Sequence, residues 1–174
     1  MTKARPSVVI LAGPNGAGKS TTAPLLLQGA LGVTEFVNAD EIARGLSGFN
    51  PQGAAIAAGR VMLARIRDLG AQRVSFAFET TLASRSFAPW LKKLTRSGYA
   101  VHLVFLWLPS DDLALARVAD RVRRGGHDVP APTVRRRYRS GIRNFTNRSP
   151  RPGAFTIVPP SSLGWLPHVW KPAQ

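Results

Sequence analysis

No cysteine occurs in the 174-residue chain. That excludes disulfides, iron–sulfur clusters and thiolate zinc sites, and it fits a reducing compartment. Long apolar runs are missing as well. Nothing approaches the roughly 20 residues of a membrane-spanning helix, and the run SVVILAG after Lys3 and Arg5 is too brief for a secretory signal. The expectation is a cytoplasmic protein of one main domain with no membrane partner. Acids are scarce: 9 Asp and Glu stand against 24 Lys and Arg, a formal charge of +15, and no acid lies beyond Asp128. Arginines crowd the same region, eleven of them between Arg117 and Arg151. Such a stripe suits nucleic acid or a site that handles several phosphates. Without a run of stacking aromatics among these arginines, nucleic acid is the less favoured partner.

What the chain does have is AGPNGAGKST at residues 12–21, directly after the apolar stretch SVVIL. Gly13, Gly18, Lys19 and Ser20 satisfy G-x-x-x-x-G-K-[ST]. The loop backbone, from Gly13 through Asn15, Gly16, Ala17 and Gly18 to Thr21, can turn consecutive N–H groups toward oxyanions. Lys19 would reach the β- and γ-phosphates and the Ser20 hydroxyl would ligate Mg²⁺. A helix starting near Lys19 adds the positive end of its dipole. The ligand implied is a nucleoside triphosphate. Further absences narrow the class. No Leu-Ser-Gly-Gly-Gln signature of transporter ATPases follows the loop, and no Asn-Lys-x-Asp guanine-reading motif is present. No later apolar strand ends in Asp; the third candidate strand ends in Glu79.

Along the chain, strands alternate with helical patterns, which predicts an α/β fold with a mostly parallel sheet of about five strands between helical layers. The first helix is expected to run to about Gln28, closed by Gly29 and Gly32. EFVNAD (Glu35 to Asp40) reads as a short strand ending in an acid. Ile56, Leu63, Ile66 and Leu69 then recur at helical spacing, with Gly70 as the expected C-terminal cap. RVSFAFE (Arg73 to Glu79) is a third strand. Phe87, Trp90, Leu91 and Leu94 stripe the next helix, stopped by Gly98. Tyr99 to Leu108 is the longest apolar run and is expected to be the central strand. Ser110 caps a helix whose first-turn acids Asp111 and Asp112 read as partners of its dipole.

Two arginine-rich helices follow. At 100° per residue, Leu115, Val118 and Val122 form the seam of the first, and Arg117, Arg121 and Arg124 share the opposite face. GGHDVPAP (Gly125 to Pro132) is a hinge-like connection. In the second helix Val134, Tyr138, Ile142 and Phe145 make the seam, flanked by Arg135 and Arg137, whereas Arg136, Arg139 and Arg143 point away. The pair is expected to act as an arginine-rich lid over phosphates. Ligands of open α/β sheets bind outside the carboxyl ends of the strands, which aims Asp40 and Glu79 at the nucleotide.

GPNGAGKST, NADEIA (Asn38 to Ala43), FETTLASR (Phe78 to Arg85), RVADRVRRGGHDVP (Arg117 to Pro130) and RRRY (Arg135 to Tyr138) occur together in this order. Over about residues 5–145 the chain resembles the zeta-toxin family of P-loop kinases, in its short stand-alone branch. The resemblance implies a P-loop NTPase three-layer sandwich and transfer of the ATP γ-phosphate to a sugar hydroxyl, with UDP-N-acetylglucosamine the substrate of the toxins. It implies ATP and Mg²⁺ as cofactors and makes an antitoxin a candidate partner. By position Asp40 would be the general base and Lys19 the phosphate clamp. Glu79 and Thr81 would contact the sugar substrate. The family's lid arginines fall in the Arg121/Arg124 and Arg135/Arg137 region, with Arg121 and Arg137 expected at the reacting phosphate, Arg124 at ATP and Arg135 at the substrate. Alternatives from other classes are a nucleic-acid-associated ATPase and an ATP-binding protein with a degenerate acceptor site. The kinase domain is expected over 1–145. A proline-rich tail would occupy 146–174, with AFTIV (154–158) as an edge strand and no evident role for Trp165 and Trp170.

Overall fold

A computed structural model describes residues 5–147 and 155–158. Five strands, β1 (Ser7–Ala12), β2 (Glu35–Val37), β3 (Phe76–Thr80), β4 (Ala100–Leu106) and β5 (Phe155–Val158), form one sheet. Their order is β2-β3-β1-β4-β5 and every pairing is parallel. Parallel neighbours require long crossovers. These are supplied by α1 (Lys19–Ala23), α2 (Ala39–Leu46), α3 (Ala55–Ala71), α4 (Ala88–Arg96), α5 (Asp111–Arg123) and α6 (Ala131–Thr146). The middle strand is β1, which feeds the phosphate loop, and not β4 as its apolar length suggests. β1 is central because β3 and β4 pair to either side of it; β4 lies one place out, between β1 and β5, with Leu103 opposite Phe155 and Leu106 opposite Val158. Trp165 and Trp170 lie outside the described residues.

β1 shows why the sheet is buried on both faces. Val9 and Leu11 pack with Leu26, Leu27, Ala114, Val118 and Val134 on one side. Val8, Ile10 and Ala12 pack with Met62, Ile66, Leu69, Leu94 and Tyr99 on the other. Successive side chains point to opposite faces, so a strand covered twice must be apolar throughout, as SVVIL is. The result is three layers with two apolar seams.

Several helices depart from the expected pattern. α1 keeps α geometry only to Ala23 and continues as a π-helix over Pro24–Ala30. Pro24 has no N–H to give the Ser20 carbonyl, and its ring would crowd that carbonyl, so the coil widens. The Leu31 N–H donates to the Leu26 carbonyl at 3.1 Å, and the turn closes at Gly32 (φ +62°), with Gly29 inside the coil. In α3 the seam is Ala58, Met62, Ile66 and Leu69; Ile56 is 75% exposed. Gly70 lies inside that helix and faces Leu94 of α4, and Gln72 is the cap. Val122 is exposed near the end of α5, where Ala114 and Val118 carry the burial.

α6 does not behave as a detached flap. Val134 and Tyr138 pack into the seam on one face of the sheet, Ile142 and Phe145 into the seam on the other. Phe145 stacks on Phe105 with ring centroids 4.3 Å apart. The expected lid is therefore a helix anchored at both ends, joined to α5 through Gly125 (φ +80°) and Gly126. Among the described residues, no helix is long and apolar enough to cross a membrane.

Candidate active site

The loop between β1 and α1 takes the shape its glycines permit. Gly16 and Gly18 have φ of +78° and +86°, in the left-handed region where a side chain is strained. The Ala17 N–H donates to the Pro14 carbonyl at 3.2 Å and tightens the turn. Gly18 is the N-cap of α1 and offers no side-chain acceptor, so the first-turn N–H groups face the cavity uncapped. Lys19 folds back and donates to the Pro14 carbonyl at 2.9 Å.

Opposite the loop, Glu79 is the next-to-last residue of β3. Its Oε2 accepts from the Ser20 hydroxyl and from Asn38 Nδ2, both at 3.0 Å, and its Oε1 lies 3.5 Å from Lys19 Nζ. Burial pulls the Lys19 pKa below its ordinary value, while the charges of Glu79 and Asp40 support the ammonium and Arg121 opposes it. A buried cation held this way is a site built for anionic phosphates. Asn38, not Asp40, caps α2: its Oδ1 accepts from the Asp40 N–H at 2.8 Å. Asp40 is thereby left in the first turn with its carboxylate on the cavity wall.

The cavity is about 430 Å³. Among the residues expected at ATP, it is lined by Asn15, Gly16, Gly18, Lys19, Ser20 and Thr21. Asp40 and Glu79 form the side nearest β2 and β3; Arg121 and Arg124 close it from α5. The structure adds Arg117, which donates to the Gly16 carbonyl at 3.5 Å. Its signal was legible, since it shares the i, i+4, i+7 face of Arg121 and Arg124. Asp120 and Gly126, also on the wall, carried no such signal. Arg121 is half-buried and donates from Nη2 to the His127 carbonyl at 2.5 Å, which ties it to the hinge.

Other expected residues fall elsewhere. Gly13 lies behind the loop, its N–H donating to the Thr80 carbonyl at 3.2 Å, and Ala17 is buried in the core. Arg137 is half-buried off the wall; burial lowers its pKa and the neighbouring charge of Asp40 supports its guanidinium. Arg135 is not at the cavity. It bonds Asp112 Oδ1 at 2.8 Å and Asp111 Oδ2 at 3.1 Å, because Asp111 and Asp112 at the start of α5 are within its reach. Those two acids therefore pin α6 to α5 besides facing the helix dipole. Thr81 lies beyond the wall, its carbonyl against Gly141 of α6. Glu79, expected at the sugar, is engaged with the phosphate loop.

These groups fit a nucleoside triphosphate with Mg²⁺. Uncapped N–H groups, a buried ammonium, Arg117 and Arg121 of α5 and Arg124 at its C-cap suit the phosphates, and the Ser20 hydroxyl with Glu79 and Asp40 supplies hard oxygen donors. Among the described residues, no cluster of three or more His, Asp or Glu could hold a metal by itself. Mg²⁺ in such sites takes few protein ligands and relies on substrate phosphates.

Comparison with known proteins agrees with the geometry. A Haemophilus influenzae protein of uncharacterized function is 32% identical over 130 residues, covering 75% of this chain and 91% of its own length. A Chloroflexus aurantiacus protein solved as a candidate kinase superposes with a TM-score of 0.65 at 13% identity, covering 97% of this chain and all of the other. A chain of the PezAT chromosomal toxin–antitoxin system of Streptococcus pneumoniae gives a TM-score of 0.63 at 15% identity, covering 84% of this chain and 66% of the other. The three-layer architecture is that of P-loop kinases. The AAA domain model of the AAA_33 family matches residues 8–145, and the chain belongs to that family.

Proposed function

We propose that the chain is an ATP-dependent small-molecule kinase of the zeta-toxin type. Its acceptor is a hydroxyl of a phosphorylated or nucleotide-linked sugar, with UDP-N-acetylglucosamine the first candidate. One observation carries the reading: a single cavity holds the buried Lys19–Glu79 pair, the Ser20 hydroxyl and an Asp40 carboxylate that is not used as a helix cap.

In this mechanism the loop N–H groups and Lys19 hold the β- and γ-phosphates. Asp40 takes the proton of the acceptor hydroxyl as its oxygen forms the new bond to the γ-phosphorus and the bond to the β-phosphate oxygen breaks. Arg117, Arg121 and Arg124 receive the charge left on ADP, and Arg137 flanks Asp40 on the acceptor side. Mg²⁺, when bound at Ser20, neutralises phosphate charge. Glu79 serves the phosphate loop in this reading, and Thr81 and the loop after it serve the acceptor. The same proposal places the protein in the cytoplasm, assigns 1–145 to the kinase domain and leaves room for an antitoxin such as the PezAT system has.

The test is mass spectrometry of a metabolite extract incubated with enzyme, ATP and Mg²⁺, with UDP-N-acetylglucosamine and an RNA oligonucleotide run separately. A product heavier by one phosphoryl group on a sugar compound is expected. ATP turnover stimulated by RNA and not by the UDP-sugar would replace this reading with the nucleic-acid-associated one. ATP binding without any phosphorylated product would leave an ATP-binding protein with a degenerate acceptor site.

A further inference from the structure

A second cavity, of about 260 Å³, opens between the loop after β3 and α6. Arg85 and Ala83 line it from the loop, Ser140, Arg143 and Asn144 from the helix. No carboxylate is among them. Elsewhere on the surface, arginines with an acid in reach have taken it: Arg44 pairs with Glu41, Arg65 with Glu35, Arg123 with Asp120, and Arg135 and Arg139 with Asp111. Among the described residues Arg85 and Arg143 have no such partner.

The cavity is also ordered from behind. Asn144 spends its amide in two directions, Nδ2 donating to the Leu82 carbonyl and Oδ1 accepting from Arg85 Nε, each at 2.9 Å. With Nε held, the Arg85 guanidinium is fixed in plane and keeps its two terminal nitrogens as donors. Two guanidinium groups, one of them pre-set, and a serine hydroxyl around an acid-free hollow match an oxyanion with several acceptors, as a phosphate is.

Position supplies the rest. Arg137, Gly141 and Asn144 lie at i, i+4 and i+7 on one face of α6. Arg137 is near Asp40, Gly141 touches the Thr81 carbonyl and Asn144 borders the second cavity. Seven residues at 1.5 Å each separate the two ends by about 10 Å along the helix. That is the reach of a hexose carrying one or two phosphates. We propose that this second cavity binds the phosphate-bearing end of the acceptor, so that the hydroxyl at the opposite end of the same molecule meets Asp40. The assignment rests on the kinase reading above and narrows it to acceptors that are already anionic at a distance from the reacting hydroxyl.

The test is calorimetric titration of the full chain preloaded with a non-hydrolysable ATP analogue and Mg²⁺, which fills the first cavity. The probes are N-acetylglucosamine 1-phosphate, N-acetylglucosamine and inorganic phosphate. The sugar phosphate is expected to bind one per chain and more tightly than either fragment. Arg85→Ala and Arg143→Ala should each weaken it roughly tenfold or more, as expected for charge-assisted hydrogen bonds. Arg136→Ala, an exposed arginine outside the cavity, should leave it unchanged. Equal affinity for sugar phosphate and sugar, or equal loss in Arg136→Ala, overturns the site. Inorganic phosphate binding as tightly as the sugar phosphate overturns the acceptor assignment in favour of a free-anion site. Binding needs no turnover: phosphate-dependent binding in a chain that phosphorylates nothing would support the site and remove the kinase reading, and the reverse result would do the opposite.

Discussion

Lys19 and Glu79 sit 3.5 Å apart with side-chain exposures of 5% and 12%, an ion pair that joins the phosphate loop to the end of β3. Burial already works against the ammonium, and the Glu79 charge supports it. Lys19→Ala should abolish turnover, by a factor of roughly 10² or more, since phosphoryl transfer depends on positioning and charge neutralisation. The fold should persist, because Glu79 keeps its bonds from Ser20 and Asn38. Circular dichroism and ATPase rates together check this; a folded variant with near wild-type turnover would mean that the loop is not catalytic.

Arg121 and Arg137 should matter more for rate than Arg136. Arg121 is on the cavity wall and Arg137 is half-buried beside Asp40, whereas Arg136 is exposed. Alanine at either of the first two should lower kcat by about tenfold or more, and at Arg136 hardly at all. Arg135→Ala should act on the seating of α6 on α5, through Asp111 and Asp112, and not on the chemical step. Equal losses across all four would show that net charge, not placement, is what the arginines supply.

The phosphate loop, the acid near the end of β3 and the shared face of Arg121 and Arg124 could be read from the residues alone, because each follows from local spacing. Four features could not. Arg135 was drawn to Asp111 and Asp112, a choice between partners 23 and 24 residues apart that no helical angle reveals. Asn38 took the cap that Asp40 could have taken, since the helix begins at Ala39, two residues earlier than a cap at Asp40 would start it. Asp40, expected to end a strand over Glu35 to Asp40, lies instead in the first turn of α2, because β2 stops at Val37 and Asn38 caps the helix. β4 lost the central place because β3 and β4 pair to either side of β1 while β2 and β5 add at the edges, contacts made across the fold. Ile56 looked like core by periodicity, yet Ala58 and Met62 face the sheet. A small residue in a seam is silent in a hydrophobicity pattern.

Gly141 of α6 approaches the loop after β3 so closely that a Cβ there would lie 2.5 Å from the Thr81 carbonyl oxygen. Backbone on one side and a packed helix on the other leave no flexible atom to yield. Gly141→Ala should cost about 1–3 kcal/mol by overpacking. If α6 positions the loop at Thr81, the same change should raise KM for the acceptor more than KM for ATP. A variant with lowered melting temperature and both KM values unchanged would confine Gly141 to packing.

His102 on β4 offers a pH test. Burial, helped by the charge of Arg5, lowers its pKa from the ordinary 6.5. The folded chain therefore binds fewer protons than the unfolded one between the lowered pKa and 6.5, so stability rises with pH in that window. Lowering the pH from 7 through 6.5 should lower the melting temperature, and the loss should level off below the folded-state pKa. His102→Gln should flatten this part of the profile. An unchanged slope in that variant would assign the acid sensitivity to other groups.

Asp40 decides between a kinase and a mere ATP binder. A cap role would make it worth about 1 kcal/mol of stability, but Asn38 already accepts the Asp40 N–H at 2.8 Å and fills that role. The Asp40 carboxylate instead shares the cavity with Lys19, and its charge reaches both Lys19 and Arg137. Asp40→Asn keeps the side chain's size and removes its charge and its ability to take a proton. Melting temperature and ATP affinity should stay close to those of the wild type, while phosphorylation of the acceptor falls by about 10² or more. The measurement is single-turnover transfer from γ-labelled ATP alongside nucleotide titration. Transfer at the wild-type rate would strip Asp40 of the base role. A parallel fall in ATP affinity and transfer would instead place its charge on the nucleotide side, near the metal, where losing one negative charge weakens both steps together.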